Sequence, residues 1–236
     1  AGRGYEAARC AVAVSDVPAG PFKFVRSGRV NPGIYPANMQ PKQVTGQIPD
    51  EWWTEDWYKL VDKGAFVERD LDGGQMSRDM TIFVDEDGKA YHVYSSEENL
   101  TLQIAELNDD YTAHTGKYIR IFPGGHNEAP VVFKHGGKYW MVTSGCTGWA
   151  PNKARMMWAD DMLGEWHMAE GTPCIGPESE ITFGGQGAYC ANIGGKLVFM
   201  ADRWTPKCLA GSGSLWLPIL FNQKGEPVIP YLQAWQ

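Results

Sequence analysis

Asn127-Glu128-Ala129-Pro130-Val131-Val132-Phe133, continued by His135-Gly136-Gly137-Lys138-Tyr139-Trp140, is the stretch whose reading decides the fold. A polar residue opens an apolar strand, two glycines turn the chain, and a second apolar strand returns, which is the pattern of a β-hairpin. The pattern occurs twice more. Upstream it reads Arg78-Asp79-Met80-Thr81-Ile82-Phe83, then Asp85-Glu86-Asp87-Gly88-Lys89-Ala90-Tyr91; downstream it reads Gly185-Gln186-Gly187-Ala188-Tyr189, then Asn192-Ile193-Gly194-Gly195-Lys196-Leu197-Val198. The lysines after the turns stand at 89, 138 and 196, so the unit recurs after 49 and then 58 residues. A period near 50 marks one supersecondary unit used repeatedly, and four-stranded propeller blades run roughly 40–50 residues each. Each copy presents a carboxyl or carboxamide group at its opening: Asp79, Glu128 and Gln186. Polar groups placed equivalently in successive blades converge on the propeller axis, where a site is expected.

The flanking segments fit outer hairpins. Residues 10–26 pair two apolar runs across a Pro/Gly turn, and residues 154–168 repeat the arrangement, with Gly164 and Trp166 in the places of Gly20 and Phe22. Leu102–Leu107 with Asp109-Asp110-Tyr111 fills that role in the blade between them. The last unit closes with Ser214–Phe221, a turn at Asn222–Gly225 and Val228–Tyr231, whose Pro218 and Pro230 suit edge positions. Residues 28–75 break the pattern. Their prolines, the cluster Trp52-Trp53-Thr54-Glu55-Asp56-Trp57-Tyr58 and Asp70–Gly74 read as an irregular and helical insertion, with Asp50 as the cap of a helix opening at Pro49-Asp50-Glu51. An insertion between an outer strand and the next inner strand lands on the face where the polar residues converge. Its tryptophans therefore either touch substrate or form a lid over the rim. The expectation is an all-β chain, a single propeller domain over residues 1–236. Because its first outer hairpin begins at residue 10, its opening inner strands are expected upstream of Ala1 or on another chain.

Composition narrows the function classes. A net charge of −7 and the lack of a Lys/Arg-rich segment argue against a nucleic-acid partner, and no run of about 18 apolar residues suggests a membrane helix. Ten Trp, ten Tyr and 28 Gly suit a β-protein whose flat rings stack on sugar faces, although aromatics also serve as plain core. Cys10, Cys146, Cys174, Cys190 and Cys208 are widely spread, without a CxxC pair or a histidine at zinc-ligand spacing, so free structural thiols and no metal centre are expected.

Two carboxyl groups on a concave all-β surface suit glycosidic bond cleavage, in which one protonates the leaving oxygen while another group handles the nucleophile. Glu128, set between Asn127 and Ala129-Pro130, is the expected acid, since partial desolvation raises a carboxyl pKa. Asp79, preceded by Arg78, is expected to stay ionised and to raise the acid's pKa further. For any one such residue a turn-capping or ion-pairing role competes with catalysis; two in register within a repeat shift that balance.

Ser77-Arg78-Asp79-Met80, Phe83–Lys89, Asn127-Glu128-Ala129-Pro130 and Ser144-Gly145-Cys146-Thr147-Gly148-Trp149 together resemble glycoside hydrolase family 43. The resemblance covers nearly the whole chain outside the insertion, and it is nearest to the branch containing exo-β-1,3-galactanases. It implies a five-bladed propeller that hydrolyses glycosidic bonds with inversion, acting from chain ends to release β-galactosyl or α-L-arabinofuranosyl units from polysaccharide. It implies Glu128 as general acid and Asp79 as the group that tunes it and orients substrate. Gln186 matches a glutamine thought to replace the carboxylate base through its imidic-acid tautomer, or else only positions the water. Tyr5, Asn99 and Thr147 match sugar-contacting positions, and Trp149 belongs to the matching Thr-Gly-Trp segment; Trp52, Trp53 and Trp57 are expected to shape the pocket. The usual base on the first blade, and the galactanase branch's Glu-Arg-Pro-Lys segment, would both lie before Ala1. No cofactor is required by such proton chemistry, a structural calcium is compatible with the axial channel, and glycan handling implies a secreted or periplasmic protein. The rivals are a non-catalytic carbohydrate-binding propeller and an inactive fragment of such a hydrolase.

Overall fold

The computed structural model describes residues 4–40 and 51–235. The chain is all-β with few helices and divides into two compact units, residues 1–126 and 127–236.

In the first unit, β1 (Cys10–Val14) and β2 (Lys23–Gly28) form a two-stranded antiparallel hairpin, with a bulge between Val12 and Ala13. The insertion follows. Its helix α1 (Glu55–Lys63) is capped by Thr54, whose hydroxyl accepts from the Trp57 amide at 3.2 Å, so the cap stands four residues later than the sequence suggests. Pro49 and Asp50 lie outside the described residues. Glu55 and Asp56 occupy the positive end, and Gly64 ends the helix at φ 93° before α2 (Ala65–Arg69). A Cβ at Gly64 would stand 2.3 Å from the Met39 Cε atom, so both the backbone angle and the space demand glycine.

A four-stranded meander, β3 (Met80–Val84), β4 (Ala90–Ser96), β5 (Thr101–Leu107) and β6 (His114–Ile121), completes this unit. Arg120 of β6 ties α1 to it. Its guanidinium pairs with Glu97 at 2.7 Å and donates to the carbonyls of Val61 and Asp62 in the last turn of the helix, where the Val61 carbonyl also accepts from the Gly64 amide. Both charged side chains are buried, and Gln103 links Glu97 onward to Gln75. Beneath, Trp57, Val61, Phe66 and Leu100 form an apolar cluster.

The second unit opens with an equivalent meander: β7 (Asn127–His135), β8 (Lys138–Gly145), β9 (Arg155–Ala159) and β10 (Trp166–Met168). Gly136 and Gly137 both have φ above zero, the requirement of a tight two-residue hairpin turn whose twist matches the strands. The short β11 (Cys174–Ile175) precedes a three-stranded sheet of β12 (Gln186–Ile193), β13 (Lys196–Arg203) and β14 (Gly213–Pro218). Then β15 (Leu220–Phe221) and β16 (Pro227–Pro230) pair, and β16 also pairs in parallel with β11. Pro218 ends an edge strand, as expected. Pro230 does not: it ends the central strand of its sheet, where its missing N–H is tolerated because the ladder bond beside it comes from the Tyr231 amide to Ile175. Val131, Phe133, Trp140, Val142, Phe199, Leu217 and Ile229 make the core of this unit. Gly187 of β12 permits a close approach to β7, since a Cβ there would lie 2.8 Å from the Val131 Cγ2 atom.

No helix among the described residues is long and apolar enough to cross a membrane. All five cysteines carry free thiols, as expected.

Candidate functional site

The three repeat-opening residues stand where their strands begin, but not identically. Asp79 directly precedes β3 and is half-buried; its carbonyl accepts from the Ser95 amide at 2.9 Å, and the β3–β4 register is regular. Glu128 is the second residue of β7, and immediately after it the register shifts, with Ala129 in the left-handed region at φ 50°. Gln186 opens β12, which shifts register between Gly187 and Tyr189. Bulges re-aim the side chains beside them and concentrate at functional sites. Two of the three repeats therefore depart from regular pairing at the residue the sequence singled out.

In the first unit, Tyr5 sits in a short 3-10 turn and Asn99 in the loop between β4 and β5. The Asn99 amide donates to the Tyr5 hydroxyl at 2.5 Å, so two expected sugar-contacting residues do meet. The Arg78 guanidinium lies 4.2 Å from the centre of the Tyr5 ring and pairs with Glu98 at 2.5 Å. Glu98 pairs also with Arg69, which pairs with Asp70, which pairs with Arg29. Glu97, Glu98 and Asn99 all have positive φ, at 51°, 61° and 66°. Three successive non-glycine residues in that region are held by surrounding contacts and mark a constrained turn. Trp53 is exposed and its ring lies 5.2 Å from that of His126. Trp57 is completely buried, which removes it from the expected pocket-shaping set: as the third residue of α1 it packs with Val61, Phe66 and Leu100.

In the second unit, Ser144 of β8 stands opposite Glu128 of β7, so both side chains leave the same face. The Ser144 hydroxyl accepts from Nε2 of Gln186 at 2.9 Å, and Oε1 of Gln186 accepts from the Trp204 indole at 3.3 Å. Because an indole N–H can only donate, Trp204 identifies the oxygen end of the carboxamide. Trp149 and Trp204 meet edge to face at 5.5 Å and, with Gly148, Pro151, Asn152 and Gln186, wall a small cleft. Thr147 is exposed, but its hydroxyl already donates to the Ala150 carbonyl and accepts from Asn152, so it shapes the loop carrying Trp149.

Gln186 follows a second run of left-handed residues, Thr182, Phe183 and Gly184, at φ 53°, 58° and 76°. The Thr182 hydroxyl donates to the Asn152 carbonyl and Arg203 donates to that of Phe183, fixing the run from both sides. Sequence reasoning passed over Ser144, Trp204 and Asp202, the last standing opposite Gln186 across the β12–β13 pair. The signal for Asp202 and Trp204 was their position at the end of the strand after the third turn; nothing local marked Ser144 as a partner of Gln186.

The profile of glycosyl hydrolases family 43 matches residues 37–207. Among solved structures, a family 43 β-1,3-galactosidase crystallised with galactodeoxynojirimycin is 61% identical with a TM-score of 0.95, over 99% of this chain and 69% of that one. A second family 43 β-1,3-galactosidase is 32% identical, TM-score 0.77, over 99% of this chain and 41% of that one. An exo-β-1,3-galactanase from Clostridium thermocellum is 30% identical, TM-score 0.71, over 97% and 43%. This chain thus spans about two fifths of the length of the latter two. A comparison with proteins of curated function finds no match. The family profile and these relatives agree with each other and with the motifs around Asp79, Glu128 and Gln186: the chain belongs to glycosyl hydrolases family 43.

Proposed function

We propose that this chain forms the catalytic part of an inverting, exo-acting hydrolase that releases β-1,3-linked galactosyl units, on a five-bladed propeller framework. The observation that carries the reading is the fixed carboxamide of Gln186, clamped between Trp204 and Ser144 in an aromatic-walled cleft, with Glu128 across the strand pair from the same serine. In this reading Glu128 protonates the leaving oxygen. Gln186 holds the attacking water; in the tautomeric route Oε1 takes that water's proton while Nε2 passes one to Ser144 Oγ, the serine releases its own hydroxyl proton to solvent, and the carboxamide becomes the imidic acid. Asp202, opposite Gln186, is the carboxylate that would favour this transfer. Asp79 orients the sugar, and Trp149 and Trp204 offer ring faces to it. The names of the similar proteins support galactose over arabinofuranose, and the chemistry needs side chains alone, with no cofactor. A polysaccharide substrate supports reading the protein as secreted or periplasmic.

The test is digestion of β-1,3-galactooligosaccharides followed by NMR from the first minutes. Free galactose appearing first as the α anomer is expected, with arabinofuranosides untouched. Tight binding without product, at high protein concentration, would replace this reading with a carbohydrate-binding propeller.

A further inference from the structure

The first unit carries a second constellation that hydrolysis does not use. Cys10 of β1, His92 of β4 and His114 of β6 each bring one ligand atom to a common point, all within 4.8 Å of one another. Nδ1 of His92 lies 3.0 Å from Nε2 of His114. The other edge of the His92 ring is occupied: Nε2 is 3.4 Å from the buried Ser77 hydroxyl and 3.1 Å from the Met80 sulfur. A proton on Nε2 therefore has partners there, which leaves the Nδ1 lone pair directed at the cluster. Burial lowers His92 to about 3 and His114 to about 4. Burial raises the Cys10 thiol, while the nearby Arg26 opposes that rise. All three groups line one open cleft of about 690 Å³, together with Arg26 and Ser27.

We propose that Cys10, His92 and His114 form a zinc-binding site. One thiolate and two neutral imidazoles are the donor types that zinc prefers, and three protein ligands leave a fourth position for water from the cleft. Two nitrogens on a tetrahedral zinc stand about 3.3 Å apart, given bonds of about 2.0–2.1 Å, so the histidine pair needs to open by only a few tenths of an ångström. Ser77 supplies the outer hydrogen bond that orients a ligating imidazole. Binding displaces one proton, from the Cys10 sulfur to solvent. The consequence is mechanical: β1 belongs to a two-stranded hairpin, a form that is marginal alone, and the metal would clip it to the four-stranded meander through residues 82 and 104 positions away in sequence.

The experiment titrates the purified chain with cobalt(II), a zinc surrogate with a visible spectrum, and then displaces it with zinc. One equivalent bound, with a thiolate-to-cobalt charge-transfer band that zinc abolishes, is expected. Cys10→Ser and His114→Ala should remove the band, and Ser77→Ala should weaken binding about 10-fold or more. A band that survives Cys10→Ser would assign the metal to another thiol, such as the exposed Cys146 or Cys208, and overturn the proposal. As a check independent of the variants' folding, zinc should slow amide exchange across residues 10–28 of the unaltered chain. Unchanged exchange there at saturating zinc overturns the clip.

Discussion

The two units hold their site residues by opposite means. Around Tyr5 and Asn99 the first unit uses charge, in a relay running from Arg29 through Asp70, Arg69 and Glu98 to Arg78. The second unit fixes Gln186 with neutral partners, a serine and an indole, and with the close approach of β12 to β7 at Gly187. The difference fits the roles proposed for the two sets of residues. A residue that only orients sugar hydroxyls tolerates neighbouring ions, which give directional, charge-assisted bonds. In the proposed role of Gln186, neutral bonds orient the two ends of the carboxamide, while the carboxylate of Asp202, opposite it across the strand pair, is the group proposed to favour proton transfer.

The division of labour is open to direct attack. Glu128→Gln should lower kcat by about 10²–10⁴, the range of a general acid, while leaving the unfolding midpoint within a degree or two. Asp79→Asn should cost less. If Asp79→Asn proves the more damaging in steady-state kinetics, the chemistry sits in the first unit and the contrast is reversed.

Stability should show the same contrast. Arg120→Leu leaves Glu97 buried without its charged partner and removes the bonds to the Val61 and Asp62 carbonyls, so a loss of about 3–5 kcal/mol is expected in denaturant unfolding. In the second unit the equivalent insult is steric. Gly187→Ala pushes a methyl group to 2.8 Å from Val131, with Phe199 next at 3.2 Å, and should cost about 1–3 kcal/mol. That loss should not respond to added salt. A Gly187→Ala protein as stable as the parent would mean that β12 can slide away from β7 at no cost, and that Gln186 is not held in place by packing.

These costs were unevenly legible in the sequence. The repeats could be read because hairpin turns are local: Gly136-Gly137 and Gly194-Gly195 state their conformation in two residues. Glu128 and Gln186 were found through that register, which was good enough to locate them but blind to the bulges behind them. The start of α1 was misplaced because Asp50 and Thr54 are both sound caps, and the choice falls to which turn buries Trp57 and Val61. The left-handed runs 97–99 and 182–184 carry residues such as Thr182 and Phe183 that avoid that region on their own, so only their surroundings impose it. The meeting of Cys10, His92 and His114 depends on sheet pairing over distances that no spacing rule spans.

The smallest expected effect is the most discriminating. Ser144→Ala removes the acceptor of the Gln186 Nε2 bond and changes nothing else in the β7–β8 ladder, whose pairing is through the backbone. One neutral hydrogen bond contributes about 1 kcal/mol, roughly a 5-fold effect on rate if it matters only for orientation. If Ser144 also receives the Nε2 proton, the tautomer loses its outlet and the fall in kcat should exceed that figure, with KM unmoved and a larger solvent deuterium isotope effect. Ser144→Thr, which keeps the hydroxyl, should restore most of the rate in either case. A Ser144→Ala enzyme with a 5-fold loss and an unchanged isotope effect would confine Gln186 to positioning water, and would move the search for the base to Asp202.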